Sequence, residues 1–213
     1  MLVGERMSRP PITIPPEMSI HDALALFKKE RIRRAPVIKG GKLVGIVSEK
    51  DLLNASPSPA TTLSVWEMNH LLSKLTVAEL MTKDVITVSE DTPIEEAARI
   101  MADNKIGGLP VVKSSRVVGI ITETDLFKMF LELMGAREKG IRVTALIEDQ
   151  PGMLAAITKA ISDAGGNFVA FGQFVGEDAN SRVLTFKING LSMAQVKKEI
   201  TPHIKKIWDI REI

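Results

Sequence analysis

Two heptapeptides, Gly45-Ile-Val-Ser-Glu-Lys-Asp51 and Gly119-Ile-Ile-Thr-Glu-Thr-Asp125, hold the residue types best suited to gripping a small molecule. In each, a β-branched run ends at a hydroxyl, and an aspartate follows three residues later. A hydroxyl at the start of a helix caps its first amides, and free amides there favour an anion. An ionised carboxylate only accepts hydrogen bonds, which suits the paired hydroxyls of a ribose. A glycine inside the strand lets a ligand approach the backbone. The same residues also have a plain structural use, with Ser48 and Thr122 as N-caps and the aspartates complementing the helix dipole. The spacing leaves both uses open.

Other reactive groupings are missing from the chain. His21, His70 and His203 fall in different segments, none at metal-ligand spacing from another His or Cys, so no metal is expected. There is no cysteine, hence neither thiolate chemistry nor a disulfide. No Gly-x-Ser-x-Gly, Walker or Gly-x-Gly-x-x-Gly run occurs. Lys197-Lys198 and Lys205-Lys206 lie on a segment with an apolar opposite side and read as a solvated face. With that, a net charge of +2 and no groove-reading element, no nucleic-acid partner is expected. Without a clustered nucleophile or base, the chain reads as a non-enzyme.

The two heptapeptides are positioned alike because the chain repeats itself. Residues 3–53 recur at 77–127 without a gap, with about a third of paired positions identical. Each copy opens with a β-rich stretch, Pro11–Ile14 or Val85–Val88. A helix follows, started by Ser19 or by Thr92-Pro93. Its apolar positions, Ile20, Ala23, Leu24 and Phe27, or Ile94, Ala97, Ala98 and Met101, recur at helical spacing. Next come a strand at Pro36–Ile38, a turn at Gly40-Gly41 and a strand at Leu43–Val47, with Ser114-Ser115 as the second turn. A last helix starts after Ser48 or Thr122, and in the second copy it runs to Met134, with Gly135 as its stop. The unit is β-α-β-β-α. Between the copies, the stretch from Asn54 begins as a Ser/Pro loop, and Leu63–Leu75 reads as a helix carrying Trp66.

Beyond a charged linker at Arg137–Gly140 the pattern changes. Strands are expected at Val143–Ile147, Phe168–Val175, Arg182–Ile188 and Ile207–Ile210. Helices are expected at Met153–Ala164, with Leu154, Ile157 and Ile161 on one side, and at Ser192–Lys206, with Met193, Val196, Ile200 and Ile204 inward. The order β-α-β-β-α-β is ferredoxin-like. Composition is that of a globular protein, 45% hydrophobic and 25% charged. No apolar run approaches the roughly 20 residues of a membrane span, and the N-terminus shows no signal peptide. A cytoplasmic protein without a membrane partner is expected.

Met7-Ser8, Ile12-Thr13, Ala35-Pro36-Val37 and Gly45–Asp51, with their counterparts through Asp125, resemble a tandem pair of CBS motifs, the Bateman module. Asp149-Gln-Pro-Gly-Met-Leu154 and Gly165-Gly-Asn167 resemble an ACT domain. The combination is similar to bacterial acetoin-utilisation accessory proteins. The resemblance implies an α+β fold of two CBS motifs packed pseudo-symmetrically plus an ACT domain. The expected boundaries are 1–56 and 77–134 for the motifs, 57–76 and 135–140 for linkers, and 141–213 for the ACT domain.

It also implies adenosine nucleotides in two shared clefts. One cleft would use Ile46, Ser48, Lys50 and Asp51, walled by Thr82, Ile86, Ile106 and Gly107. The other would use Ile120, Thr122, Thr124 and Asp125, walled by Ser8, Ile12, Ile32 and Arg33. Arg33-Arg34 stand where the second copy has Gly107-Gly108, so phosphate is expected in the Asp51 cleft and a weaker or uncharged adenosyl ligand in the Asp125 cleft. Arg31, Arg33 and Arg34 also read as a solvated helix end. In the ACT domain, Asp149, Gly152 and Asn167 would hold an amino acid between two subunits; alternatively Asp149 and Pro151 only start a helix and Asn167 sits in a turn. The expected function is a non-catalytic sensor of AMP, ADP, ATP or S-adenosyl compounds, forming a homodimer that regulates an unknown protein. The alternative is a ligand-free module for oligomerisation.

Overall fold

The computed structural model describes residues 1–55, 64, 67 and 73–213. The expected linker helix at Leu63–Leu75, with Trp66 and His70, lies outside the described residues apart from a few positions. The chain forms two compact units, Met1–Leu126 and Phe127–Ile213.

In the first unit, α1 (Val3–Arg6), α2 (Ile20–Glu30), β1 (Arg34–Lys39), β2 (Lys42–Ser48) and α3 (Glu49–Asn54) come from the first repeat. From the second come α4 (Val77–Leu80), α5 (Ile94–Asn104), β3 (Gly108–Lys113), β4 (Arg116–Thr122) and α6 (Glu123–Leu133), which continues into the second unit. Ser19 caps α2 by accepting from the Asp22 amide, 3.1 Å away. Pro93 takes the N-cap of α5, one place before the expected first turn. Helices α2 and α5 each end at a cation with φ of +54°, Arg31 in the first copy and Lys105 in the second.

The hairpins β1–β2 and β3–β4 turn on Gly40-Gly41 and Ser114-Ser115, all four at positive φ. Paired positive φ values match the twist of the flanking strands. The first β-rich stretches are shorter than expected. Pro11–Ile14 and Val85–Val88 each contribute one parallel bridge, Ile14 to Val37 and Val88 to Val111.

The sequence repeat and the packed lobe do not coincide. Val77 is buried in the core of Ile14, Ile20, Ala23, Phe27, Ala35, Val37, Val47 and Leu52. Conversely, Val3 and Met7 are buried in the core of Val88, Ala97, Met101, Leu109, Val111 and Ile121. The two opening segments are exchanged. Backbone bonds fix the exchange, with Val3 N donating to Thr92 O and Gly4 N to Glu90 O, and Val77 N to Met18 O and Ala78 N to Pro16 O. Each lobe therefore buries apolar surface from both copies, which ties them into one unit.

The exchange also changes the reading of the strand glycines. A side chain on Gly45 would meet Met81 (2.5 Å to Sδ, 2.8 Å to Cγ). One on Gly119 would meet Met7 (2.9 Å to Cγ, 3.0 Å to Cε). These glycines make room for a methionine of the other copy, not for a ligand against the backbone as expected.

The second unit is a four-stranded antiparallel sheet in the order β6-β7-β5-β8, from β5 (Ile141–Glu148), β6 (Asn167–Val175), β7 (Ser181–Asn189) and β8 (Lys206–Glu212). Helices α7 (Met153–Asp163) and α8 (Met193–Ile200) pack Ile157, Ile161, Val196 and Ile200 against Val143, Ala145, Ile147, Leu184, Phe186 and Ile188. Met193, expected inward, is exposed at 43%, and Leu154, expected on the side of Ile157 and Ile161, is exposed at 36%. The last helix is shorter than expected: it gives way to a 3₁₀ turn, Thr201–His203, at Pro202, whose ring cannot continue the hydrogen-bond ladder. On the other face, the buried Lys187 donates to Gly135 O at 2.7 Å and Glu138 O at 2.9 Å, which holds the linker down.

Candidate functional site

The hairpins position the chemistry. In β1–β2, Arg34 pairs with Ser48 across the ladder, and in β3–β4 Gly108 pairs with Thr122. The same cross-strand place thus carries a guanidinium in one copy and no side chain in the other. Helices α3 and α6 start directly after Ser48 and Thr122.

Ser48 and Asp51 form a capping box. Asp51 Oδ2 accepts from Ser48 N at 2.9 Å and from Ser48 Oγ at 2.6 Å, and Ser48 Oγ accepts from the Asp51 amide at 3.3 Å. Asp125 Oδ2 likewise accepts from Thr122 N at 3.0 Å and Oγ1 at 2.7 Å. The first amides of these helices are also used, with Glu49 N donating to Arg33 O at 2.8 Å and Glu123 N to Gly107 O at 3.1 Å. These bonds use the first amide of each helix and, in α3, the Asp51 amide, so the helix starts offer an anion fewer free amides than expected. In both aspartates these cap bonds converge on one oxygen, Oδ2.

Two cavities lie between the copies. The first, about 460 Å³, is lined by Ile46, Ser48, Lys50 and Asp51 of one repeat and by Thr82, Ile86, Ile106 and Gly107 of the other, together with Arg33 and Arg34. The second, about 410 Å³, is lined by Ile120, Thr122, Thr124 and Asp125 and by Ser8, Ile12, Ile32 and Arg33. Both volumes suit a small ligand. The backbone bridges Ile46 to Thr82 and Ser8 to Ile120 join residues from the two copies on the lining of each cavity. They follow directly from the exchanged opening segments. All seventeen nucleotide-site positions implied by the resemblance line one or both of these cavities.

The charge distribution departs from the expectation. Arg33 lines the Asp125 cleft as expected, but Arg34 lines both cavities, so that cleft holds a second guanidinium. A side chain on Gly108 would meet Arg34 Cδ at 2.8 Å, which shows the arginine lying across the space the second copy leaves open. Burial pushes the Arg34 guanidinium below its ordinary value, and the Glu123 carboxylate, then Asp51, oppose that push. Arg33 beside it is exposed. Sequence reasoning missed Glu49, Asp84, Lys105 and Glu123 on these walls. Lys105 was findable, since it is the repeat partner of Arg31, which lines the other cavity.

In the second unit the expected amino-acid site does not assemble within one chain. Asp149 pairs with Arg182 at 2.8 Å instead of capping α7, whose N-cap is Gly152 at φ +87°. Asn167 begins β6 opposite Asn189, whereas the β5 end before Asp149 pairs Glu148 with Ser181. Because β7 runs from Ser181 to Asn189, Asp149 and Asn167 sit at opposite ends of the sheet. Asn167 is also a strand residue and not part of the turn. Among the described residues no group of three or more His, Cys, Asp and Glu could hold a metal, and no helix is long and apolar enough to cross a membrane.

Comparisons with known proteins agree with this layout. The CBS domain pair of protein MJ0100, in complex with 5′-methylthioadenosine and S-adenosyl-L-methionine, is 35% identical, with a TM-score of 0.52 over 65% of this chain and 98% of its own. The acetoin utilization protein AcuB from Vibrio cholerae is 33% identical, with a TM-score of 0.53 over 64% of this chain and 95% of its own. CBSX2 in complex with AMP is 31% identical, with a TM-score of 0.52 over 62% of this chain and 97% of its own. Among curated relatives, the L-aspartate semialdehyde sulfurtransferase of Methanocaldococcus jannaschii is 36% identical over 131 residues, 61% of this chain, but the chain spans only 23% of that protein's length. A CBS domain family model matches residues 3–58 and 77–132, and an ACT domain model matches residues 141–202. The chain belongs to the CBS domain family, as a tandem CBS pair followed by a C-terminal ACT domain.

Proposed function

We propose that this chain is a non-catalytic regulatory sensor that takes adenosine nucleotides into the two clefts of its CBS pair. The observation that carries the reading is the composition of each cleft: a Ser/Thr-x-x-Asp from one repeat faces an apolar wall from the other, Ile86 and Ile106 in the first cavity and Ile12 and Ile32 in the second. An apolar wall suits a purine face, a carboxylate suits a ribose, and an arginine suits a phosphate. Ile86 is 40% exposed at the first cavity, an exposure that a stacked base would cover. Ligands of this kind are seen in MJ0100 and CBSX2, which supports AMP or an S-adenosyl compound here.

The chain would act on a partner protein through a change in shape, and it would pair with a second copy of itself. The exposed Phe127, Phe130 and Leu133 of α6 support that pairing. The location would be the cytoplasm. The second reading, a ligand-free oligomerisation module, has one observation in its favour, since Asp51 is already engaged in its own capping box. Thermal melting with AMP, ATP, methylthioadenosine and S-adenosylmethionine separates the two. A ligand at 100 times its Kd should stabilise by about 2.7 kcal/mol. A flat response to all four compounds, in wild type and at millimolar concentration, would leave the ligand-free module standing.

A further inference from the structure

The Asp125 cleft owes its cationic side to the Asp51 cleft. Without Arg33 and Arg34 its lining would hold one cation, Arg31, against two carboxylates, Glu123 and Asp125. Arg33 is exposed, so water screens it; Arg34 is half-buried and acts at closer quarters. A side chain placed on Gly107 would meet Arg34 Nη1 at 2.5 Å and Glu123 Oε2 at 2.6 Å, so the guanidinium and the Glu123 carboxylate approach the same point. Glu123 belongs to the second cleft and Asp51 to the first. Gly108, the repeat partner of Arg34, supplies no guanidinium at the matching place.

We propose that Arg34 is a single guanidinium shared by the two clefts, so that a phosphorylated nucleotide in the Asp51 cleft weakens the Asp125 cleft for a second phosphorylated nucleotide but not for an uncharged adenosyl ligand. This rests on the sensor reading above and adds to it a coupling between the sites. A phosphate in the first cleft draws the guanidinium onto its oxygens, since a charge-assisted pair is stronger than a loose one. Glu123 then faces the second cleft with only the exposed, water-screened Arg31 and Arg33 to offset it, which weakens the hold on an incoming phosphate. Coupling is reciprocal, so phosphate in the second cleft weakens the first by the same factor. An uncharged ligand makes no claim on Arg34 and senses little of the exchange.

The test blocks one cleft and reads the other. Thr82→Trp fills the first cavity from its wall while leaving Arg34 and Asp51 in place. AMP and methylthioadenosine are titrated calorimetrically into the full chain as wild type, Thr82→Trp, Arg34→Gln and Thr82→Trp/Arg34→Gln. In the wild type, the second AMP should bind weakly. In Thr82→Trp the remaining site should bind AMP about tenfold tighter than that second site. Adding Arg34→Gln should abolish the gain, and methylthioadenosine should show no gain in either background. Gly107→Ala offers an independent arm, because its methyl group displaces the ends of Arg34 and Glu123 without removing charge; it should shrink the gap between the two AMP sites. An unchanged second-site affinity for AMP in Thr82→Trp overturns the sharing alone. Absence of binding by either ligand to any of these proteins overturns the sensor reading, and the sharing with it.

Discussion

Replacing Gly119 by alanine tests the exchange of opening segments most directly. Gly119 lies in β4 of the second repeat, and Met7, from the first repeat, crosses over it. The new methyl carbon would stand 2.9 Å from Met7 Cγ and 3.0 Å from Cε, closer than carbon atoms pack. Met7 is only 7% exposed and belongs to the second lobe's core, so it cannot swing into water without opening that core. Overpacking of this kind costs about 1–3 kcal/mol. For a unit of this size that lowers the melting temperature by about 3–5 °C per kcal/mol. Met7→Ala alone should cost about 2–5 kcal/mol by leaving a cavity. In the double variant the two changes complement each other, so it should be no less stable than Met7→Ala, with a coupling of about 0.5–3 kcal/mol. Urea denaturation of the four proteins gives the cycle. The mirrored pair, Gly45 with the half-buried Met81, should show the smaller penalty because that methionine has somewhere to go. Strict additivity at Gly119 and Met7 would refute the crossing of the two copies.

Two further outcomes follow from the charges. Lys187→Met removes the donor to Gly135 O and Glu138 O, so it should destabilise the second unit by about 1–3 kcal/mol and raise protease cleavage at 135–139, read by timed trypsin digestion; equal digestion would remove the lysine as the linker's anchor. In acid, the Lys113 ammonium holds Glu90 below its ordinary 4.5, and Arg211 holds Asp209 below 3.8. Carboxylates with a depressed folded value stabilise above their unfolded value, and that contribution is lost as pH falls through the folded one. Melting temperature should therefore hold from pH 7 to about 4.5 and decline below it, with a shallower decline in Glu90→Gln. A decline centred between pH 5 and 7 would point to other groups.

Much of the fold can be read from local pattern. Helix α2 is visible because Ile20, Ala23 and Phe27 keep one face apolar and Ser19 can cap it. The hairpins are visible because Gly40-Gly41 and Ser114-Ser115 break alternating strands. The cleft residues are legible only by resemblance, since a Ser-x-x-Asp serves a capping box as readily as a binding site. What stays hidden depends on distance in space. Asp149 and Asn167 flank the same helix in the sequence, yet within one chain they fall at opposite ends of the sheet, so a site built from both needs a second copy of the chain.

By itself, the sequence determined that one β-α-β-β-α unit is built twice and that a ferredoxin-like unit follows, because hydrophobic period, caps and turns act over a few residues. Only the tertiary structure decided that Val3 and Val77 trade lobes, that Gly45 and Gly119 accept methionines, and that Arg34 reaches both clefts. Each of those facts depends on which copy lies against which, and pairing across a pseudo-symmetric interface leaves no mark in the spacing of residues along either copy.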